Sequence, residues 1–452
     1  MLLNKNSREK TMSLKITKKK IKSNFWVAPA IYGVAAVILA LLTMKLDRYL
    51  HVHHQLYKHI PSIFLTDKEL AHSILSALST SLLTMTTITF SSVLVVQTTF
   101  LSQFSPRTLQ NFNESSKSQR VLGTFVGGYI YTLVLLLQVR KNDLSETFIV
   151  PSFAVLVTFI CVGMFVFLIH HVMDWIKVGN LISNITKETL LAFDNNISRD
   201  KKLKTIKDDT ELKLEDHSYT SVISSKRGYL QFIDTVKLVN YAEQKDIIVK
   251  LEKDRGKYVD VDTPLFKVWG NNAAFDKNEM LSLLAITDDQ ESVHDVDFGI
   301  QKLVEIALRG IAPGKNDPET AINCIEQLSQ ILSKLGKYDI SNPYHRDGNN
   351  NIRLIIEKPT FFDYLYKSFY QIRHYGKSDV SVMISVIHAL TLIAETNEDD
   401  VKKMVMNFTE YIVQGLKKED WLFLDRDRMN SALKKLYAAG GQSGQGDLLE
   451  IE

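Results

Sequence analysis

The stretch SILSALSTSLLTMTTITFSSVLVVQTTFLS, residues 73–102, carries no charged side chain, yet nearly half of it is Ser or Thr. About 20 apolar residues cross a bilayer as a helix, so this segment can cross with tilt or project beyond it. Backbone groups in hydrocarbon have no water to bond, which makes helix the only sensible state for a lone span. Three further apolar runs flank it: Phe25 to Met44, Val121 to Val139, and Pro151 to Ile169. The expected fold is a polytopic α-helical membrane protein whose four transmembrane helices occupy residues 25–177.

Residues 1–24 form a basic segment, with Lys15, Lys18, Lys19, Lys20 and Lys22 before the first run. That order resembles a signal peptide. The run is longer than a typical signal core, however, and Met44-Lys-Leu-Asp47 follows it rather than a small-residue cleavage pattern, so a retained span is expected. Lys and Arg in short flanks favour the cytoplasm. The N-terminal segment, the loop with Arg107, Lys117 and Arg120, and Lys177 all fall on one side. This predicts a multi-pass membrane protein with both termini cytoplasmic. Lys45, Arg48, Arg140 and Lys141 on the other side reduce the asymmetry.

Beyond the spans the chain turns charged. Its net charge of +3 averages two unlike parts and gives no support to nucleic-acid binding. Only Cys161 and Cys324 are present, which argues against a disulfide framework or a cysteine zinc site. Residues 178–225 read as a helix followed by a charged linker, and residues 226–270 as a small β module with strands around Gly228 to Ile233, Asp246 to Glu252 and Leu265 to Trp269. The Gly256 to Val268 phrase looks like the turn and strand of compact β-barrels and of biotinyl or lipoyl carriers, although no lysine sits in a convincing carrier motif. Residues 271–438 return to a helical period, and residues 439–452 read as a flexible tail. The soluble part is therefore expected to be α+β.

Four phrases, Gln103-Phe-Ser-Pro-Arg107, Leu122-Gly-Thr-Phe-Val-Gly127, Phe167-Leu-Ile-His-His171 and Ile306 to Ala321, occur in an order that resembles the bacterial family of predicted membrane proteins catalogued as domain of unknown function 2254. In the last phrase Lys315 stands where the family pattern has Ile. The resemblance implies an inner-membrane protein with a cytoplasmic domain, and it supplies no reaction, substrate or catalytic residue.

Candidate functional residues follow from spacing. At ~100° per residue, Ser73, Ser76, Thr80, Thr84, Thr87, Ser91, Thr98 and Ser102 form one stripe interrupted by Val95. Such a face can line a hydrated path when identical helices meet around an axis; Ser and Thr also bond their own helix backbone and help helices pack. Gln103, Pro106 and Arg107 form a candidate gate or a lipid anchor at the interface. His170, His171 and Asp174 close the fourth span, His170 and Asp174 sharing a face that suits a proton relay, a metal pair or a hydrogen bond. His51, His53 and His54, with His59 and His72 nearby, are weak metal or pH-sensing candidates. Arg309, Lys315, Asn316 and Asp317 surround a turn able to bind an anion, where helix capping by Asp317 with Pro318 next is the simpler reading. No Walker, Gly-x-Ser-x-Gly, His-Glu-x-x-His or kinase pattern is present, so an enzyme ranks third. The leading expectation is a homo-oligomeric channel or transport protein for an ion or small solute, with a regulatory soluble domain and the lipid bilayer as partner. A membrane-tethered signalling or scaffolding protein is the alternative, and no cofactor is indicated.

Overall fold

A computed structural model describes residues 27–52, 61–103, 116–141, 147–200, 218–270, 275–287, 296–338, 340, 343–416, 421–442 and 449. The chain divides into two compact units, residues 1–177 and 178–452.

The first unit holds α1 (Val27–Val52), α2 (Lys68–Gln103), α3 (Ser116–Lys141) and α4 (Val150–Ile176). Their apolar stretches of 24, 29, 21 and 22 residues are each long enough to cross a membrane. The 29 residues in α2 extend about 43 Å at ~1.5 Å each, so this helix is longer than a ~30 Å hydrocarbon layer when upright. α3 packs against the other three helices, and α2 also packs on α4. A two-strand ribbon, β1 (Thr66–Asp67) with β2 (Thr147–Phe148), joins the segments before α2 and α4.

Small residues set the spacing inside this bundle. A Cβ placed on Gly127 would lie 3.2 Å from the Tyr32 carbonyl oxygen, and one on Gly128 would lie 2.7 Å from Cys161 Sγ. The glycines of α3 thus admit α1 and α4 at close range, as the sequence predicts. Leu82, Val121, Phe125, Cys161 and Leu168 form one buried cluster, and Ala40, Leu75, Tyr131, Leu135 and Ala154 belong to another.

The second unit begins with α5 (Val178–Asp200), which is helical beyond the apolar pattern ending near Phe193. Its mixed part contains β3 (Thr220–Ile223), β4 (Gly228–Ile233), α6 (Thr235–Lys245), β5 (Ile248–Leu251), β6 (Tyr258–Val259), β7 (Pro264–Trp269), α7 (Lys277–Leu281) and β8 (Leu284–Thr287). After α8 (Val296–Gly310) and α9 (Pro318–Leu335) come β9 (Tyr344–Arg346) and β10 (Ile352–Ile356). One sheet has the order β3-β7-β5-β10-β9 and the other β6-β4-β8. Only the β5/β10 pairing is parallel among the described ladders, with Val249 opposite Leu354. Alternate inward residues, including Leu230, Val249, Phe266 and Leu354, share one core with α6.

Four further helices complete this unit: α10 (Phe361–Gly376), α11 (Val380–Glu395), α12 (Asp399–Leu416) and α13 (Phe423–Ala439). The helices pack in pairs, α8 on α9, α9 on α11 and α11 on α13, with α5 against both α8 and α9. Leu303, Ile306, Ile325, Leu328, Leu332 and Leu390 are essentially inaccessible to solvent. Each such side chain contributes about 1.5–3 kcal/mol through burial. Asp317 caps α9 with Pro318 as the first helical residue, while Thr360 and Asp363 form a reciprocal capping box at α10. Leu449 is buried and exchanges two hydrogen bonds with the Asn430 side chain of α13, at 2.8 and 2.9 Å.

Candidate functional site: the hydroxyl face of the second span

A helix as rich in Ser and Thr as α2 must choose which hydroxyls to bury. Ala71, Leu75, Ser79, Leu82, Thr89, Val93 and Val96 face the inside of the unit. Ser73, Thr80, Thr84, Thr87, Ser91 and Thr98 are exposed, and Ser76 is half-buried. Most of the stripe expected from spacing is therefore exposed, with Thr87 and Ser91 at the edge of an open groove shared with α1 and α3. Leu83, Ile88, Leu94 and Val95 share this outer surface.

The threonine hydroxyl hydrogens on this face are committed locally. Thr80 donates to the Ser76 carbonyl at 3.0 Å, Thr84 to Thr80 at 2.9 Å, Thr87 to Leu83 at 3.0 Å and Thr98 to Val95 at 2.9 Å. This back-bonding makes an uncharged polar face tolerable next to lipid. It also leaves each oxygen with acceptor capacity. A row of such oxygens can coordinate a cation or a water molecule, and is poorly suited to an anion, which needs donors.

Polar contacts fix the end of the unit near the β1/β2 ribbon. Asp47 is buried and its Oδ1 accepts a hydrogen bond from the Ile149 amide at 3.1 Å, satisfying one donor at the start of α4. Tyr131 donates to Thr43 Oγ1 at 3.3 Å, and Ser152 to the Phe64 carbonyl at 2.9 Å. Sequence reasoning treated Asp47 only as a residue following the first span; its partner lies 102 residues away and leaves no local signal.

Phe167 and His171 stack with ring centroids 5.8 Å apart, and His170 is exposed on α4. Asp174 lies in the same helix. His51 lies in α1 and Gln103 ends α2. Pro106, Arg107, His53, His54 and His59 lie outside the described residues. At the turn before α9, Asn316 has a left-handed backbone with φ of 47°, and the Asp317 amide donates to the Gly310 carbonyl at 3.0 Å. Asp317 itself accepts from the Thr320 amide at 3.2 Å and from its hydroxyl at 2.7 Å, so this chain's own carboxylate occupies the helix N-terminus. Arg309 and Lys315 also have partners.

A polar cluster that the sequence did not reveal stands in the second unit. Arg353 donates from Nε to Asp347 at 2.7 Å and from Nη1 to Asp246 at 2.8 Å. Asp347 is fully enclosed and also accepts from the amides of Asn349 and Asn351, each at 2.9 Å. Burial alone would raise its pKa, but these bonds and the Arg353 guanidinium together hold the carboxyl below the usual range. The arrangement ties β10 to the turn after β9 and to the C-cap of α6. Burial raises the Cys324 thiol well above its ordinary range, making it a core residue rather than a nucleophile.

Comparison with known proteins places these features in context. A family model described as "Predicted membrane protein (DUF2254)" matches residues 22–391. An uncharacterized protein of Mycobacterium tuberculosis and one of Mycobacterium bovis are each 25% identical over 350 residues. The alignments cover 74% of this chain and 66% of each relative, so the chain spans less than two thirds of the relatives' length. No solved structure matches.

Proposed function

The chain belongs to the DUF2254 family of predicted membrane proteins, and from that premise we propose that it is a homo-oligomeric inner-membrane channel or transport protein whose α2 hydroxyl faces line a path for cations. The observation that carries this reading is the exposure of Thr80, Thr84, Thr87 and Ser91 along one stripe of α2, outside the buried contacts of their own bundle. A path needs a hydrophilic wall. Copies of α2 meeting around an axis would supply stacked rings of oxygen acceptors without a fixed charge. The committed threonine hydroxyl hydrogens favour cations over anions, and the basic flanks favour a cytoplasmic side for both termini and for the second unit, which would then act as a regulatory domain.

The rival reading, a membrane-tethered signalling or scaffolding protein, draws on the same hydrogen bonds, because a self-satisfied Thr face can also serve helix packing alone. The two part on a single experiment. Purified protein in sealed liposomes is given gradients of K⁺, Na⁺, Mg²⁺ and Cl⁻, beside the Thr84→Val, Thr87→Val, Ser91→Val variant. Cation flux abolished in a correctly assembled variant supports the path. Absence of flux with normal assembly supports the tether.

A further inference from the structure

Between α1, α2 and α3 lies an open groove of about 730 Å³, lined by Ala30, Gly33, Val34, Thr87, Ser91 and Val126 among others. Its volume falls in the ~300–1,000 Å³ range of small-molecule sites. Apart from Thr86, Thr87 and Ser91 its walls are apolar or glycine, and the two threonines donate to the Leu82 and Leu83 carbonyls at 2.7 and 3.0 Å. The threonine hydroxyls are thus committed to their own helix, Ser91 is the polar group left to meet an occupant, and the apolar walls favour an apolar body.

Position and charge identify that body. The groove runs from Pro29 to Val37 on α1, along the later part of α2, and from Leu122 to Ile130 on α3, so it lies toward one end of the bundle. The flanks of these helices at that end are basic in sequence: five lysines between residues 15 and 22, then Arg107, Lys117 and the exposed Arg120, against Glu114 alone in the loop 104–115. By sequence these charges adjoin the ends of α1, α2 and α3 that carry the groove. A polybasic flank attracts anionic lipid from the adjoining leaflet.

We propose that this groove is a binding site for one acyl chain of an anionic phospholipid, drawn from the leaflet next to the basic flanks. The inference does not depend on flux. Its site meets the hydroxyl stripe at Thr87 and Ser91, so a bound lipid would sit along one edge of the proposed path.

The test is photolabelling of the full chain in liposomes containing phosphatidylglycerol or phosphatidylcholine with a diazirine on the acyl chain, at equal mole fraction, followed by peptide mapping. The site predicts about tenfold stronger labelling of peptides 29–37 and 86–91 by the phosphatidylglycerol probe, the preference expected from one or two nearby basic residues. Ala30→Phe with Ser91→Phe, both at exposed positions, should remove that labelling, whereas Val95→Phe, outside the groove, should retain it. Equal labelling by the two lipids, or labelling indifferent to the filled groove, overturns the proposal. So does a disulfide between copies at Ala30→Cys without lipid labelling. The comparison of two lipids on the unaltered protein stands even if the filled variant fails to fold. Flux and labelling are read separately, so either idea can fail alone.

Discussion

Gly128 is the position where the inner face of α2 meets α3 and α4. A Cβ there would approach Cys161 Sγ to 2.7 Å and Leu82 Cδ1 to 3.6 Å, so Gly128→Ala forces the sulfur or the α3/α4 spacing to move. Overpacking of this kind costs about 1–3 kcal/mol. Cys161→Ala alone removes the sulfur and its weak 3.7 Å contact with the Thr124 carbonyl; losing this small volume should cost on the order of 1 kcal/mol. The double variant gives the added methyl somewhere to go, so its stability should match Cys161→Ala alone. That predicts a favourable coupling of about 1–2 kcal/mol in a double-mutant cycle. The assay is reversible unfolding of the purified protein in bicelles, with all four proteins measured under one condition. Additive single effects would refute the α3/α4 contact. They would also remove the framework that turns Leu82 inward and the hydroxyl stripe outward.

Three other outcomes are expected. Asp47→Ala should destabilise the first unit by about 0.5–2 kcal/mol, the usual cost of a lost helix cap, while Asp47→Asn should retain most of the stability because an amide oxygen still accepts from Ile149; thermal melts in detergent compare them. Asp347 has a depressed folded-state pKa, so its stabilising contribution is complete above the unfolded carboxylate pKa of about 3.9 and is lost as pH falls through the lower folded value. Unfolding of the full chain followed by a probe in the second unit should show this acid-side loss, and Asp347→Asn should abolish that component. Gly299→Ala should loosen α5 from α8, because the new Cβ collides with Thr189; hydrogen exchange in α5 should rise, and unchanged protection would contradict that packing.

The length and composition of the four spans made them legible, and helical spacing read a stripe of hydroxyls along α2. The glycines of α3 also signalled close packing through size alone. Spacing could not say whether the hydroxyl face pointed into the bundle, because that depends on which apolar residues, Leu75 and Leu82 among them, find partners on α3 and α4. The soluble part was harder to read. β10 pairs in parallel with β5 across about a hundred residues, and Arg353 reaches Asp246 over a separation of 107. Neither has a local pattern. β3 lay within a stretch read as helix and linker, and the short helix α6 was concealed between two strands whose alternation dominated the reading.

The account turns most directly on cation flux through liposomes bearing the unaltered protein, measured beside the Thr84→Val, Thr87→Val, Ser91→Val variant. Valine replaces the hydroxyl of threonine with a methyl of similar size and adds one further methyl at the exposed Ser91; polar contacts between membrane helices average about 0.6 kcal/mol, so the variant should still assemble. The predicted result is K⁺ or Na⁺ flux well above empty liposomes, little Cl⁻ flux, and loss of the cation signal in an assembled variant. Equal flux from both proteins, or none from inserted and folded protein, would contradict a hydroxyl-lined path.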